Sequence, residues 1–316
     1  MDLCMTIKSV SFLIQTSVGI AGNSFILLSY VAILFGDCKL MPVDIVLSHL
    51  AFVNLMILST RGIPQTMTVF GMHLALDDTS CKIIVYSYRI VRALSVCVTC
   101  LLSVVQAIII TPGTRWSIIK IKVTKYLILS LISIWLINIV VCIAAPLFSL
   151  VPSGEKPLKF TLDLGFCHVR FPDQLGYIIN GFAVSFRDFA FVALMVFASV
   201  YIIITLYRHR NQVQNIRRMA GARNAPNESK AAKDVLKLVL LYVIFFGIDN
   251  IIWIYTLTVS HVPSIINDMR IFFTSCYASI SPILIISSNR KIRNAIKCTL
   301  KTQRPAQTEV YVYHIN

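Results

Sequence analysis

The sequence predicts an all-α membrane protein, a bundle of seven transmembrane helices, and three observations carry that prediction. Seven apolar stretches, each about long enough to cross a bilayer, fill most of the 316 residues. Hydrophobic residues make up 57% of the chain and mean hydropathy is +0.76, values that exclude an ordinary soluble globular domain. The basic residues between the stretches gather on alternate loops, the asymmetry that sets orientation in a bilayer.

The expected spans are roughly Ser9–Phe35, Val43–Phe70, Cys81–Ile110, Tyr126–Leu150, Leu175–Tyr207, Val235–Val259 and Pro263–Ile286. A hydrocarbon core of about 30 Å needs about 20 helical residues, and every window clears that length. Helices are required because backbone groups in lipid must be satisfied within the segment, and the runs are too long for barrel strands. The first window has Asn23 in its middle and is too long for a signal-peptide core, so it reads as a span. Pro64, Pro146 and Pro282 fall inside windows two, four and seven, where neighbouring helices can satisfy the carbonyls they free. The whole chain, 1–316, reads as one seven-span domain with a tail at 287–316. No repeat or inverted half of the transporter kind is visible.

Loop charges give the orientation. Pro112–Lys125 carries Arg115, Lys120, Lys122 and Lys125 without an acid, and Arg208–Lys237 and the tail are also basic. The opposite loops hold Lys82, Lys156, Lys159, Arg170 and Arg270, roughly cancelled by acids. The amino terminus is therefore expected outside and the carboxy terminus in the cytoplasm of a plasma-membrane protein. Cys4, Cys81 and Cys167 then face an oxidising compartment. The expected disulfide is Cys81–Cys167, which pins the second outer loop over the mouth of the bundle and leaves Cys4 over. The sequon Asn227-Glu228-Ser229 falls inside. The His are scattered and no metal-ligand cluster is legible, so no metal or cofactor is expected. No nucleophile, acid–base pair or phosphate loop marks an enzyme.

Gly22-Asn23 in span one, Trp135 in span four and Pro282 in span seven fit the G-protein-coupled receptors in general. The commonest signatures of that group are replaced. Val105-Gln106-Ala107 stands at the inner end of span three, Ser281-Pro282-Ile283-Leu284-Ile285 in span seven, and Asn54 in span two. One family shares these departures. The chain closely resembles the vomeronasal type-1 receptors in Leu58-Ser-Thr-Arg-Gly-Ile-Pro-Gln-Thr66, Thr99-Cys-Leu-Leu-Ser-Val-Val-Gln-Ala-Ile108 and Leu206-Tyr-Arg-His-Arg-Asn-Gln-Val-Gln214, and in Arg187-Asp188 and Ser281-Pro282. Bitter taste receptors are similar but differ in the span-three and span-five stretches. Two features depart from the family. Gly221–Pro226 lacks the Ser-Pro-rich stretch of the third inner loop, and Gly154–Thr161 lacks a sequon, so the resemblance implies a divergent member.

Charged side chains inside a bilayer cost about 2.5–3.5 kcal/mol each on insertion scales, so they mark a site or a buried pair. Arg89 and Arg92 lie three apart on one face of span three, about 12 and 16 Å below Cys81 at about 1.5 Å per residue. Span five adds Arg187 and Asp188, and span six adds Asp249 beside Asn250. Three Arg against two Asp leave surplus positive charge facing an outer cavity. One reading is a ligand pocket between spans three, five and six, formed by Arg89, Arg92, Arg187, Asp188, Asp249 and Asn250, for a small molecule bearing a carboxylate, sulfate or other acceptor. The competing reading is a ligand-free salt network, Arg92 with Asp249 and Arg187 with Asp188, that fixes packing. Tyr88, Tyr177, Phe182, Trp253 and Tyr277 are further candidate lining groups, and Arg61 is expected to snorkel to the headgroups, with a place in the cavity as the alternative.

On the inner side, Lys120, Arg208, His209 and Arg210 surround the ends of spans three, five and six. They are expected both to attract anionic lipid and to contact a G protein. Asn289–Leu300 has the pattern of an amphipathic helix on the inner leaflet, with Cys298 a candidate for palmitoylation. The resemblance implies a chemosensory receptor for a pheromone-like small molecule, coupled to a G protein of the inhibitory class. The alternatives are a bitter-taste-like receptor, a non-signalling partner of other receptors and, more remotely, a transporter or channel. No nucleic acid partner is implied.

Overall fold

In the computed structural model, residues 3–35, 40–72, 76–143, 149–150, 161–163, 166–170, 174–220, 227–258, 264–289 and 292–293 are described. They form seven membrane-length apolar helices. Span one is Leu3–Phe35, span three Asp78–Ile110, span four Thr114–Val141, span five Gln174–Ala220, span six Asn227–Thr258 and span seven Ser264–Ser288. Span two runs Pro42–Ile57, passes through a π-helical turn at Leu58–Gly62, and continues as Ile63–Val69. Pro64 lacks an N–H and would press its ring on the Thr60 carbonyl of a regular helix. The wider turn just before it relieves that clash, as π-bulges do, and Arg61 within the turn is buried.

Helix starts are capped locally. Asp77 precedes span three and accepts from the Ser80 amide at 3.2 Å, and the Ser80 hydroxyl and amide hold this exposed carboxyl below the usual carboxylate range. At the start of span two, Asp44 accepts from the Met41 amide at 3.1 Å, with Pro42 where its missing N–H is harmless. Asp44 also receives the Asn289 carboxamide at 3.3 Å, and the same carboxamide reaches the Tyr30 hydroxyl at 2.9 Å. The end of span one, the start of span two and the end of span seven are joined there.

Pro282 removes one hydrogen bond from span seven and leaves the Ala278 carbonyl without its helical donor. Asn23 of span one supplies the replacement, donating from Nδ2 to that carbonyl at 2.9 Å. Close approach makes this possible. A Cβ on Gly22 would lie 2.9 Å from the Pro282 ring, and one on Gly19 would lie 3.0 Å from Ser279 Cα. Asn54 of span two donates to Ser281 Oγ at 3.0 Å beside it. The proline in span seven is thus compensated by its neighbours, as bundle packing allows.

Several boundaries differ from the expected ones. Span four, expected over Tyr126–Leu150, begins at Thr114 and ends at Val141, so Lys120, Lys122 and Lys125 are helical rather than in a loop. Pro146 lies in residues 144–148, outside the described residues, and Ser149–Leu150 is a strand. Hydropathy cannot separate these cases, because a covered strand is as apolar as a span. Spans five and six also extend beyond the apolar windows, to Ala220 and from Asn227, which makes Arg208, His209 and Arg210 helical. The helix expected over Asn289–Leu300 falls almost wholly outside the described residues.

A small sheet, absent from the sequence expectation, lies in the loop between spans four and five. β1 (Ser149–Leu150), β3 (His168–Arg170) and β2 (Thr161–Asp163) pair antiparallel in that order, with Val169 opposite both Ser149 and Leu162. Cys167, immediately before β3, is bonded to Cys81 at the head of span three. Phe166, Cys167 and Val169 are buried with Cys81 and Val85, so the loop packs onto the bundle.

Candidate functional site

The intramembrane charges predicted from sequence separate into two groups. The first joins spans three, six and seven. Arg92 Nη2 pairs with Asp249 Oδ2. Asp249 Oδ1 receives the Thr274 hydroxyl at 2.9 Å and Arg270 Nε at 3.3 Å. The Arg270 guanidinium lies 4.2 Å from the Trp253 ring centroid, so its other face is covered by a cation–π contact. Asp249 is buried, and a carboxylate in that position needs the three donors it receives.

Arg92, Asp249 and Thr274 border a cavity of about 40 Å³ completed by Ile57, Ser95, Tyr242, Phe245, Phe246, Phe273, Tyr277 and Ala278. That space holds about three waters, so a larger guest enters only as the helices part. The lining comes from spans two, three, six and seven and includes no residue of span five, whereas the sequence placed the pocket between spans three, five and six. Tyr277 is fixed on the wall by its hydroxyl, 3.1 Å from Thr99 Oγ1 of span three, and by an edge contact with Tyr242 at 4.7 Å.

The second group joins spans three and five beside span four. Arg187 donates twice to Asp188 Oδ1, from Nε at 3.0 Å and Nη2 at 2.8 Å. Arg89 donates to the Asn180 carboxamide oxygen at 3.2 Å. Cys142 at the end of span four lies beside Arg187. Both salt pairs named in the competing reading, Arg92 with Asp249 and Arg187 with Asp188, are therefore present, and one of them borders a cavity.

Other sequence candidates fall elsewhere. Asn250 is buried and donates to its own helix at the Phe246 carbonyl, 2.8 Å away. Phe182 is 71% exposed and stacks on Phe186 along the outer face of span five, so it meets lipid rather than the cavity. Tyr88 lies under Arg61, and the Tyr177 side chain is outside the described residues. Arg61 does not snorkel: it is 3% exposed, with its guanidinium 5.6 Å from the Tyr88 ring and 5.3 Å from the Phe166 ring. The π turn holds it inward, and the outer loop closes over it. Lys120 is half-buried, Arg208 and His209 are exposed, and the Arg210 side chain lies outside the described residues.

Sequence reasoning missed Arg270 and Thr274. Loop counting assigns Arg270 to the outer loop, yet it stands inside span seven and four residues before Thr274, a spacing that puts both on one helix face. That spacing was the available signal. Among the described residues no group of three or more His, Cys, Asp or Glu is arranged to hold a metal.

Comparison with known proteins agrees with this architecture. The crystal structure of squid rhodopsin superposes with a TM-score of 0.67 over 96% of this chain and 87% of that one, at 17% identity, which establishes the seven-helix receptor fold. "Olfactory receptor class A-like protein 1" of Danio rerio is 54% identical over 305 residues, covering 96% of each chain. "Vomeronasal type-1 receptor 1" of Homo sapiens is 32% identical over 286 residues, 90% of this chain and 81% of the relative. The sequence model of the vomeronasal organ pheromone receptor family matches residues 6–298. The chain belongs to that family, as a multi-pass membrane receptor and not an enzyme.

Proposed function

We propose that this receptor binds a small molecule bearing a carboxylate, sulfate or similar acceptor at the Arg92–Asp249–Arg270 cluster, and that binding activates a cytoplasmic G protein. The observation that carries the proposal is a buried carboxylate held by two guanidiniums at the edge of a cavity. The cluster has one positive charge in excess. An incoming acid competes with Asp249 for Arg92 and Arg270 through charge-assisted bonds. The Asp249 contacts are the hydrogen bonds among the described residues that tie span six to Arg92 and Arg270, with Trp253 adding a ring contact to Arg270, and their exchange favours arrangements in which span six has moved. The ligand shifts the population by its differential affinity for those arrangements.

In this reading the amino terminus is outside and the exposed Arg208 and His209, with Lys120 and Arg210, face the G protein at the inner end. By likeness to relatives named as vomeronasal receptors, the ligand is a pheromone-like or environmental molecule and the G protein is of the inhibitory class. The test is recruitment of a soluble G-protein surrogate while small acids and their neutral amides are screened. An acid that recruits at concentrations at least tenfold below its amide supports the reading. Activation by neutral or cationic compounds alone refutes it.

A further inference from the structure

The second charge group also has one positive charge in excess, and among the described residues its arginines have no further carboxylate to take it. Asp188 Oδ1 is already used twice by Arg187. Arg187 Nη1 is buried with no hydrogen-bond partner. Arg89, one of the nearest other charges, finds only the neutral Asn180 carboxamide among the described residues. Arg92 and, less strongly, Arg187 are close enough to Arg89 to repel it, and Cys142 lies beside both Arg89 and Arg187. A lysine placed so would shed its proton, but a guanidinium does not deprotonate in proteins. Charge in lipid that cannot be titrated away must be matched by a counter-charge or reached by water. The unpaired donor is buried, so the matching group has to be compact.

We propose that Arg89 and Arg187 bind a small monovalent anion of chloride size between spans three, four and five, beside Cys142, at a site separate from the ligand cavity. Such an ion accepts from Arg187 Nη1 and from the Arg89 guanidinium, neutralises the group, and ties span three to span five. The site uses neither Asp249 nor Arg270, so it stands whether or not the cavity binds an acid.

The experiment is thermal unfolding of the purified receptor in discs of neutral lipid, with sodium gluconate replaced stepwise by sodium chloride at constant ionic strength. Chloride is expected to raise the wild-type midpoint saturably, by on the order of 5 °C when far above its dissociation constant. Arg89→Gln removes most of that rise, while Arg270→Gln, in the Asp249 cluster, keeps it even as its response to activating compounds falls. A wild-type midpoint identical in gluconate and chloride overturns the proposal without recourse to any variant. So does an Arg89→Gln protein that retains the full rise. Stabilisation by acetate but not chloride also overturns it, because the group would then be a carboxylate subsite of the ligand. If Arg89→Gln does not fold, Arg187→Gln serves in its place, with the same loss of the chloride rise expected.

Discussion

Spans three and five are equally apolar and live in opposite surroundings. Their most apolar stretches have mean hydropathy 2.5 and 2.6, yet 72% of the first is buried inside the protein and only 11% of the second. Leu94, Leu102 and Val98 of span three are fully buried, whereas Phe182, Phe186 and Phe197 of span five are all more than two-thirds exposed. In a soluble protein such a difference would be written in hydropathy. Here lipid is as apolar as the core, so the difference lies in the polar residues. Span three places Arg89, Arg92, Ser95, Thr99, Ser103 and Gln106 along its length. Span five collects Asn180, Arg187 and Asp188 on one patch, buries Met195 and Ile202 in the bundle, and otherwise turns mostly to lipid. Polar groups inside the membrane mark the interior, because the hydrocarbon gives them no partner.

The comparison can be broken most severely at Asp249, the carboxylate that fixes Arg92 of span three to spans six and seven. Asp249→Asn leaves two half-buried guanidiniums short of a counter-charge and is expected to destabilise by about 3–5 kcal/mol. It should also raise recruitment of the G-protein surrogate without ligand in whatever protein reaches the surface. Thermal unfolding and a basal recruitment assay read the two effects, and a silent, fully stable variant would contradict the pairing. Next comes Leu102→Ala in span three, which opens a void in the packed interior and is expected to cost about 2–5 kcal/mol. Asn23→Ala, which strips the donor from the Ala278 carbonyl freed by Pro282, is expected to cost about 1–3 kcal/mol. At the small end, Phe197→Ala on the lipid face of span five should stay within about 0.5 kcal/mol. A loss at Phe197 as large as that at Leu102 would mean that span five is covered by protein in the membrane.

The same physics explains what could be read in advance. The seven windows, the Cys81–Cys167 pair and the partners Arg92–Asp249 and Arg187–Asp188 were legible, since length, compartment and the cost of isolated charge are properties of the sequence. Arg270 was not recognised as part of the site, because loop counting treats a residue seven places into window seven as surface charge. Its partner is on another helix, and only the packing brings it within 3.3 Å of Asp249. Arg61 was expected at the headgroups for a similar reason. Nothing in its neighbours announces a π turn, although Pro64 three residues later was the cause. The end of span four was obscured because Ser149–Leu150 continues the apolar run into a strand. The cavity moved from span five to span seven because hydropathy gives no rotation of a helix about its axis.

The most direct measurement is the response of Arg92→Ala to an activating acid, with receptor number at the cell surface counted in the same cells. A ligand held by the Arg92–Asp249–Arg270 cluster predicts, per receptor at the surface, a response shifted at least tenfold to higher concentration, and no shift in Phe182→Ala on the lipid face. An Arg92→Ala receptor that responds like wild type, or one whose response falls only in proportion to its surface number, would contradict it.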